Sequence, residues 1–216
     1  MALSTPANPA KASSVRTSVQ TKGERTRAAI LDVALRLVSK AGLDGLTIGT
    51  LADATGMSKS GLFAHFGSRD ELLLAVLAHG QAQFGKVVFQ PAMAKARGLP
   101  RLRAMFVNWL AWTESAELPG GCPMIGGASE FDDRPGPVRN MLAGGQRTWI
   151  ETLKRAVRQA IDERQLAADT DPEQIAFEMF GIALVVHHHR RLLGYRKARE
   201  RALAALDSLF QRHAVS

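Results

Sequence analysis

One cysteine, one tyrosine and a low share of aromatic residues set the first limits on this chain. With Cys122 alone, no intramolecular disulfide can form, which fits a reducing compartment. Aromatic residues make up only 6%, and the single tyrosine and nine prolines argue against an all-β chain. No apolar run approaches the roughly 20 residues that a membrane-spanning helix needs; the most apolar stretch, Ile175 to Val186, is far too short. The N-terminus has no signal-peptide core, because Lys11 and Arg16 interrupt it. These absences lead to the expectation of a soluble, cytoplasmic protein with no membrane partner. No GxSxG, GxGxxG or Walker loop occurs, so the chain is not expected to be an enzyme, and no cofactor is expected. Metal is not expected either. CxxC and HExxH spacings are absent, and the consecutive His187, His188 and His189 would point about 100° apart on a helix.

What is present favours helices. Hydrophobic residues make up 46% of the 216, enough for a sizeable core, and Ala, Leu, Arg and Gln are good helix formers. We read the chain as all-α. The net charge of +8 favours a polyanionic partner, but it does not locate a binding face. Residues 1–86 hold ten Lys and Arg against six Asp and Glu, and residues 87–216 hold eighteen against fourteen.

Three regions follow. Residues 1–21, rich in Ser, Thr, Ala and Pro, are expected to be disordered; a sharper reading makes them a basic arm with Arg16 and Lys22. Residues 22–86 begin with an amphipathic helix from Lys22 to Ala41, with apolar Ile30, Val33, Ala34, Leu37 and Val38 on one stripe. Thr47 then caps a second helix, Gly56 allows a tight turn, Ser58 caps a third helix ending at Phe66-Gly67, and Ser68 caps a fourth with Glu71 completing a capping box. Two short helices around a glycine turn form a helix-turn-helix, whose second helix is built for the DNA major groove. Residues 87–216 break near Pro91 and at Gly98-Pro100. They then predict helices over about 101–114, 125–131, 137–164, 171 onward and 195–212, with a Gly-rich connection from Leu118 to Pro137. Asp171-Pro172-Glu173-Gln174 is a strong start with a capping-box Gln. The helix it opens is apolar almost all round, so one face needs a second subunit to cover it.

The segment from Thr47 and Ile48 through Leu51, Ala52, Gly56-Met57-Ser58, Ser60, Leu62-Phe63, His65-Phe66, Ser68-Arg69 and Glu71-Leu72-Leu73 resembles the DNA-binding domain of the TetR/AcrR family of bacterial transcriptional regulators. The resemblance covers about residues 22–86. It implies an N-terminal three-helix DNA-binding domain joined by helix 4 to a C-terminal bundle that binds an effector and dimerises through its last two helices. The partners implied are double-stranded operator DNA, a small, largely apolar effector, and a second copy of the chain, acting together as a homodimeric repressor.

Ser58, Lys59, Ser60 and Gly61 offer the short polar N-terminus that a recognition helix needs. Phe63 stands where the family usually has tyrosine, which leaves contact with sugar or a thymine methyl but no hydroxyl for phosphate. His65, Arg69 and Thr47 match phosphate-binding positions, with Arg25 and Arg27 on the first helix beside them. Candidate effector residues are Phe106, Trp109, Trp112, Met124, Phe131, Trp149, Phe177, Phe180 and His187, since pockets between helices are lined by bulky apolar side chains. The alternative is a thiol-based redox or electrophile sensor, or an enzyme, using Cys122, whose Gly-rich surroundings and nearby arginines would lower its pKa.

Overall fold

The computed structural model describes residues 21–215, and the expectations for the N-terminal leader lie outside these residues except at Thr21. Among the described residues the chain forms helices and no strand. The first is α1, Lys22–Ala41. Thr21 belongs to it, not to a disordered leader: its hydroxyl accepts from the Glu24 N–H, and the Glu24 carboxylate answers at the Thr21 N–H in a reciprocal capping box. Next come α2, Ile48–Thr55, and α3, Lys59–Phe66. Gly56 between them sits at φ 67°, ψ 16°, a left-handed turn that a side chain would resist. Thr47, Ser58 and Ser68 each accept from the N–H three residues on, as capping residues do.

α4, Arg69–Met93, is continuous where a break at Pro91 was expected. Between Gly85 and Phe89 it widens into a π turn, in which the Gln90 N–H reaches back five residues to the Gly85 carbonyl. A proline ring normally collides with the carbonyl one α turn behind it. The wider turn just ahead of Pro91 relieves that collision, and the helix runs on. By length and composition α4 could cross a membrane, yet its buried Leu72, Leu73, Val76, Leu77, Val88 and Ala92 make it the central strut of the core.

The remaining helices are α5, Leu99–Thr113; α6, Pro123–Phe131; α7, Pro137–Asp162; α8, Pro172–Arg191; and α9, Ala198–Arg212. Asp171 caps α8 by accepting from Glu173 N–H, but Gln174 does not complete a capping box; its carboxamide donates to Glu178 instead. α4 packs on α1 and α3 at its N-terminal half and on α6 and α7 further along. One core therefore runs from the helix-turn-helix into the bundle.

Polar contacts fasten the two ends of this core together. The α1–α2 connection carries Asp44, whose carboxylate accepts from Arg134 at 2.6 Å and from Arg69 at 3.2 Å, while Glu130 of α6 accepts from the Asp44 N–H. The Arg134 guanidinium, with Arg69 behind it, holds the Asp44 carboxyl below the usual carboxylate range. On the other side, Gly120 N–H donates to Ser39 Oγ of α1, and Arg36 pairs with Glu117.

Candidate nucleic-acid interface and bundle cavity

The outward side of the helix-turn-helix follows from what its inward side buries. Leu62 and Phe66 of α3 pack against Leu51 and Ala52 of α2 in the core, which turns Ser58, Lys59, Ser60 and Phe63 to solvent. Phe63 is 50% exposed, unusual for a phenylalanine in a capped helix without a partner. Ser58 Oγ accepts from the Gly61 N–H and lies 3.2 Å from Ser60 Oγ, so the first turn presents a compact, short-chained polar end. A Cβ at Gly61 would crowd the capping hydroxyl. Thr47 is exposed at the start of α2, and Arg25 and Arg27 are exposed on α1. Arg27 lies over the Phe66 ring at 4.9 Å, a cation–π contact that steers its head beside α3. His65 is half-buried next to the same ring.

Arg69 is placed differently from the rest of the predicted set. Its guanidinium donates to the Leu43 and Leu46 carbonyls and to Asp44, so its hydrogen-bonding capacity is turned inward onto the α1–α2 connection. The sequence motif could not show this, because the acceptors lie more than twenty residues away and are mostly backbone.

A second feature lies in the bundle: a cavity of about 560 Å³ between α4, α5, α6, α7 and α8. Four predicted effector residues, Trp109, Met124, Trp149 and Phe180, line it. Five do not. Phe106 is fully buried in the core, and Trp112 is buried against the edge of Phe84. Phe131 packs under Arg134. Phe177 is 72% exposed on the far face of α8. His187 packs against the Gly121 backbone, where a Cβ would collide with its ring. The unpredicted lining includes Phe84 just ahead of the π segment and Gly85 and Phe89 within it, together with Gln81, Met141 and Gln146. Aromatic rings form one wall: Trp149 meets Phe84 at 4.9 Å and Trp109 at 5.6 Å edge to face, and Trp109 meets Phe180 at 5.4 Å.

Cys122 also borders the cavity, but as a buried thiol at the start of α6. Burial pushes its pKa up, the opposite of the expected activation. Its arginine neighbours in sequence do not offset that burial. Among the described residues no three His, Cys, Asp or Glu side chains converge as a metal site.

A third feature is an apolar groove between α8 and α9. Ile182, Val185, Ala198 and Ala202 line it beside the exposed Phe177. α5 braces this pair from behind through Glu114, which accepts from Arg190 and Arg199, both at 2.9 Å.

Known proteins share this fold. Residues 30–76 match the family model described as bacterial regulatory proteins, tetR family, and residues 98–206 match the tetracyclin repressor-like C-terminal domain. The transcriptional repressor AcnR of Corynebacterium glutamicum is 33% identical over 79 residues, 36% of this chain and 42% of AcnR. The chain thus aligns with less than half the length of this curated relative. A TetR transcriptional regulator from Chloroflexus aurantiacus superposes with a TM-score of 0.81 at 24% identity, covering 89% of this chain and 98% of that one. AibR in complex with isovaleryl coenzyme A and operator DNA superposes at 0.69 with 25% identity, covering 85% and 98%. With the C-terminal model alone spanning half the sequence and the helix-turn-helix model matching beside it, the chain belongs to the TetR family of bacterial regulatory proteins.

Proposed function

We propose that the protein is a homodimeric, cytoplasmic transcriptional repressor, and not an enzyme, that leaves its operator when a small, largely apolar effector enters the bundle cavity. The observation that carries this reading is the double role of α4. Its N-terminal half seats the helix-turn-helix through Leu72 and Leu73, and its π segment forms part of the cavity wall. An occupant pressing on Phe84 or Phe89 acts on the helix that positions α3. In this reading residues 22–86 bind DNA and residues 87–216 bind effector and partner. Lys59 reads a base edge or holds a phosphate, Ser58, Ser60 and Gly61 admit close approach, and Phe63 meets sugar or a thymine methyl. Thr47, His65, Arg25 and Arg27 serve the phosphate backbone. Arg69 acts behind them, holding the α1–α2 connection.

The α8–α9 groove joins two copies, which sets the recognition helices for half-sites about 34–36 Å apart. A small rotation of α4 in each copy then breaks the fit. That AibR has been captured with both isovaleryl coenzyme A and operator DNA supports pairing a small-molecule site with DNA on this fold. The test is a mobility shift on the DNA upstream of the protein's own gene. Specific, salt-sensitive binding weakened by Lys59→Ala and His65→Ala is expected. Binding indifferent to both substitutions would sink the reading.

A further inference from the structure

The cavity's polar chemistry is more selective than its aromatic wall suggests. Among the described residues no charged side chain lines it. Its amide and hydroxyl side chains are Gln81, Gln146, Thr148 and Thr152, and each already has one hydrogen-bond donor committed, while Trp149 in the same wall keeps an indole N–H buried without a partner. Gln81 Nε2 donates to the Met141 carbonyl at 3.3 Å, and Gln146 Nε2 to the Met124 carbonyl at 3.2 Å. Only an N–H can face a carbonyl, so these contacts fix which end of each carboxamide is nitrogen. Thr148 and Thr152 donate to the Gly144 and Thr148 carbonyls of their own helix. What remains is neutral and two-sided: unspent acceptors stand beside the second N–H of each carboxamide and the Trp149 indole N–H. Among the described residues neither glutamine Oε1 accepts a hydrogen bond, nor does Thr148 Oγ1. Thr152 Oγ1 accepts from Arg155, which stands outside the lining.

We infer that this cavity selects an uncharged aromatic molecule carrying a hydroxyl or amide group, and rejects carboxylates, phosphates and ammonium groups. The inference rests on reading the cavity as the effector site. An anion entering it would leave its water and meet no cation among the lining residues, and an ammonium group would meet no carboxylate among them; either loss exceeds what apolar contact restores. The aromatic faces do not supply a cation cage, because Trp109, Trp149, Phe84 and Phe180 already pack on one another edge to face or tilted. A neutral hydroxyl or amide loses little on entry and regains hydrogen bonds from the unspent acceptors and donors. The volume suits two or three fused rings.

Isothermal titration calorimetry of the intact protein with four probes of one skeleton tests this: 2-naphthol, 2-ethylnaphthalene, 2-naphthoate and 2-naphthylmethylammonium. We expect 2-naphthol to bind at least about ten-fold tighter than either ion, and severalfold tighter than 2-ethylnaphthalene. Gln146→Leu should erase the advantage over 2-ethylnaphthalene. Gln146→Lys should raise 2-naphthoate affinity, and Gln146→Glu that of the ammonium probe. Equal or tighter binding of either ion by the unaltered protein overturns the inference, as does failure of every probe to bind. A mobility shift with the same probes separates the two readings. DNA release by 2-naphthoate but not 2-naphthol keeps the effector site and overturns the ligand class. Tight 2-naphthol binding without DNA release keeps the ligand class and overturns the effector reading.

Discussion

Two residues show how strongly single positions constrain this molecule. Gly120 lies so close to α1 that a Cβ there would overlap the Ser39 carbonyl. Its N–H also donates to Ser39 Oγ. Backbone pressed on backbone has no rotamer to yield, so Gly120→Ala should destabilise the fold by about 1–3 kcal/mol, as overpacking does elsewhere; urea unfolding checks this. His187 is a different case. Burial first, and then Arg191 and His188, push its pKa below the ordinary 6.5, and its Nδ1 is buried without a partner. A depressed histidine pKa means that the unfolded chain binds the proton more readily. The contribution is therefore present above about pH 6.5 and is lost as pH falls through the folded value. Thermal unfolding between pH 7.5 and 5 should show this loss, and His187→Gln should flatten it. A histidine triplet in sequence invites thoughts of metal; its neighbours in space, a glycine backbone and an arginine, turn one member into a packing group.

At the scale of elements, helix starts were the most legible feature, because a cap is a local event. Thr47, Ser58, Ser68 and Asp171 all cap where their residue types and spacing indicated. Pro91 misled because its local rule is overridden by the π turn beside it, which no residue type announces. The cavity was half legible. Bulky apolar residues on helices are either core or lining, and only the crossing of α4 with α7 decides that Trp149 lines while Phe106 does not. Gln81 and Gln146 carried no signal, since polar residues on a helix usually face water. Arg69 tests how elements are joined. Its contacts with the Leu43 and Leu46 carbonyls clamp α4 to the α1–α2 connection. Arg69→Ala should therefore cost about 1–2 kcal/mol of stability, reduced from the full charged-hydrogen-bond value by partial exposure, whereas Lys59→Ala should leave stability unchanged and weaken DNA binding. Chemical denaturation alongside DNA titration distinguishes the two. Unchanged stability in Arg69→Ala would return Arg69 to the DNA-facing set.

At the scale of the whole molecule, the open question the surface poses is what covers α8. Phe177 at 72%, Val185 at 51% and Leu184 at 38% exposure form more apolar surface than an isolated helix pair keeps wet. Placing a carboxylate there, as in Phe177→Glu with Val185→Glu, should convert a sedimenting dimer to monomer and abolish binding to a two-half-site operator while leaving helicity intact. A monomeric parent protein, or DNA binding unaffected by the pair, would contradict that arrangement. The π turn of α4 has a consequence of another kind, in the tolerance of the chain to changes in length. A π turn holds one residue more than the α pattern requires. Removing one residue from it, Lys86 for instance, lets the turn close into plain α-helix with Leu77 before it and Ala92 beyond it still facing the core. The same deletion elsewhere in α4, at Ala78, would rotate everything beyond it by about 100° and turn the buried face outward. The molecule should thus survive a shortened Gly85–Phe89 but not a shortened helix on either side, which makes this turn the place where α4 can lose one residue without loss of the fold.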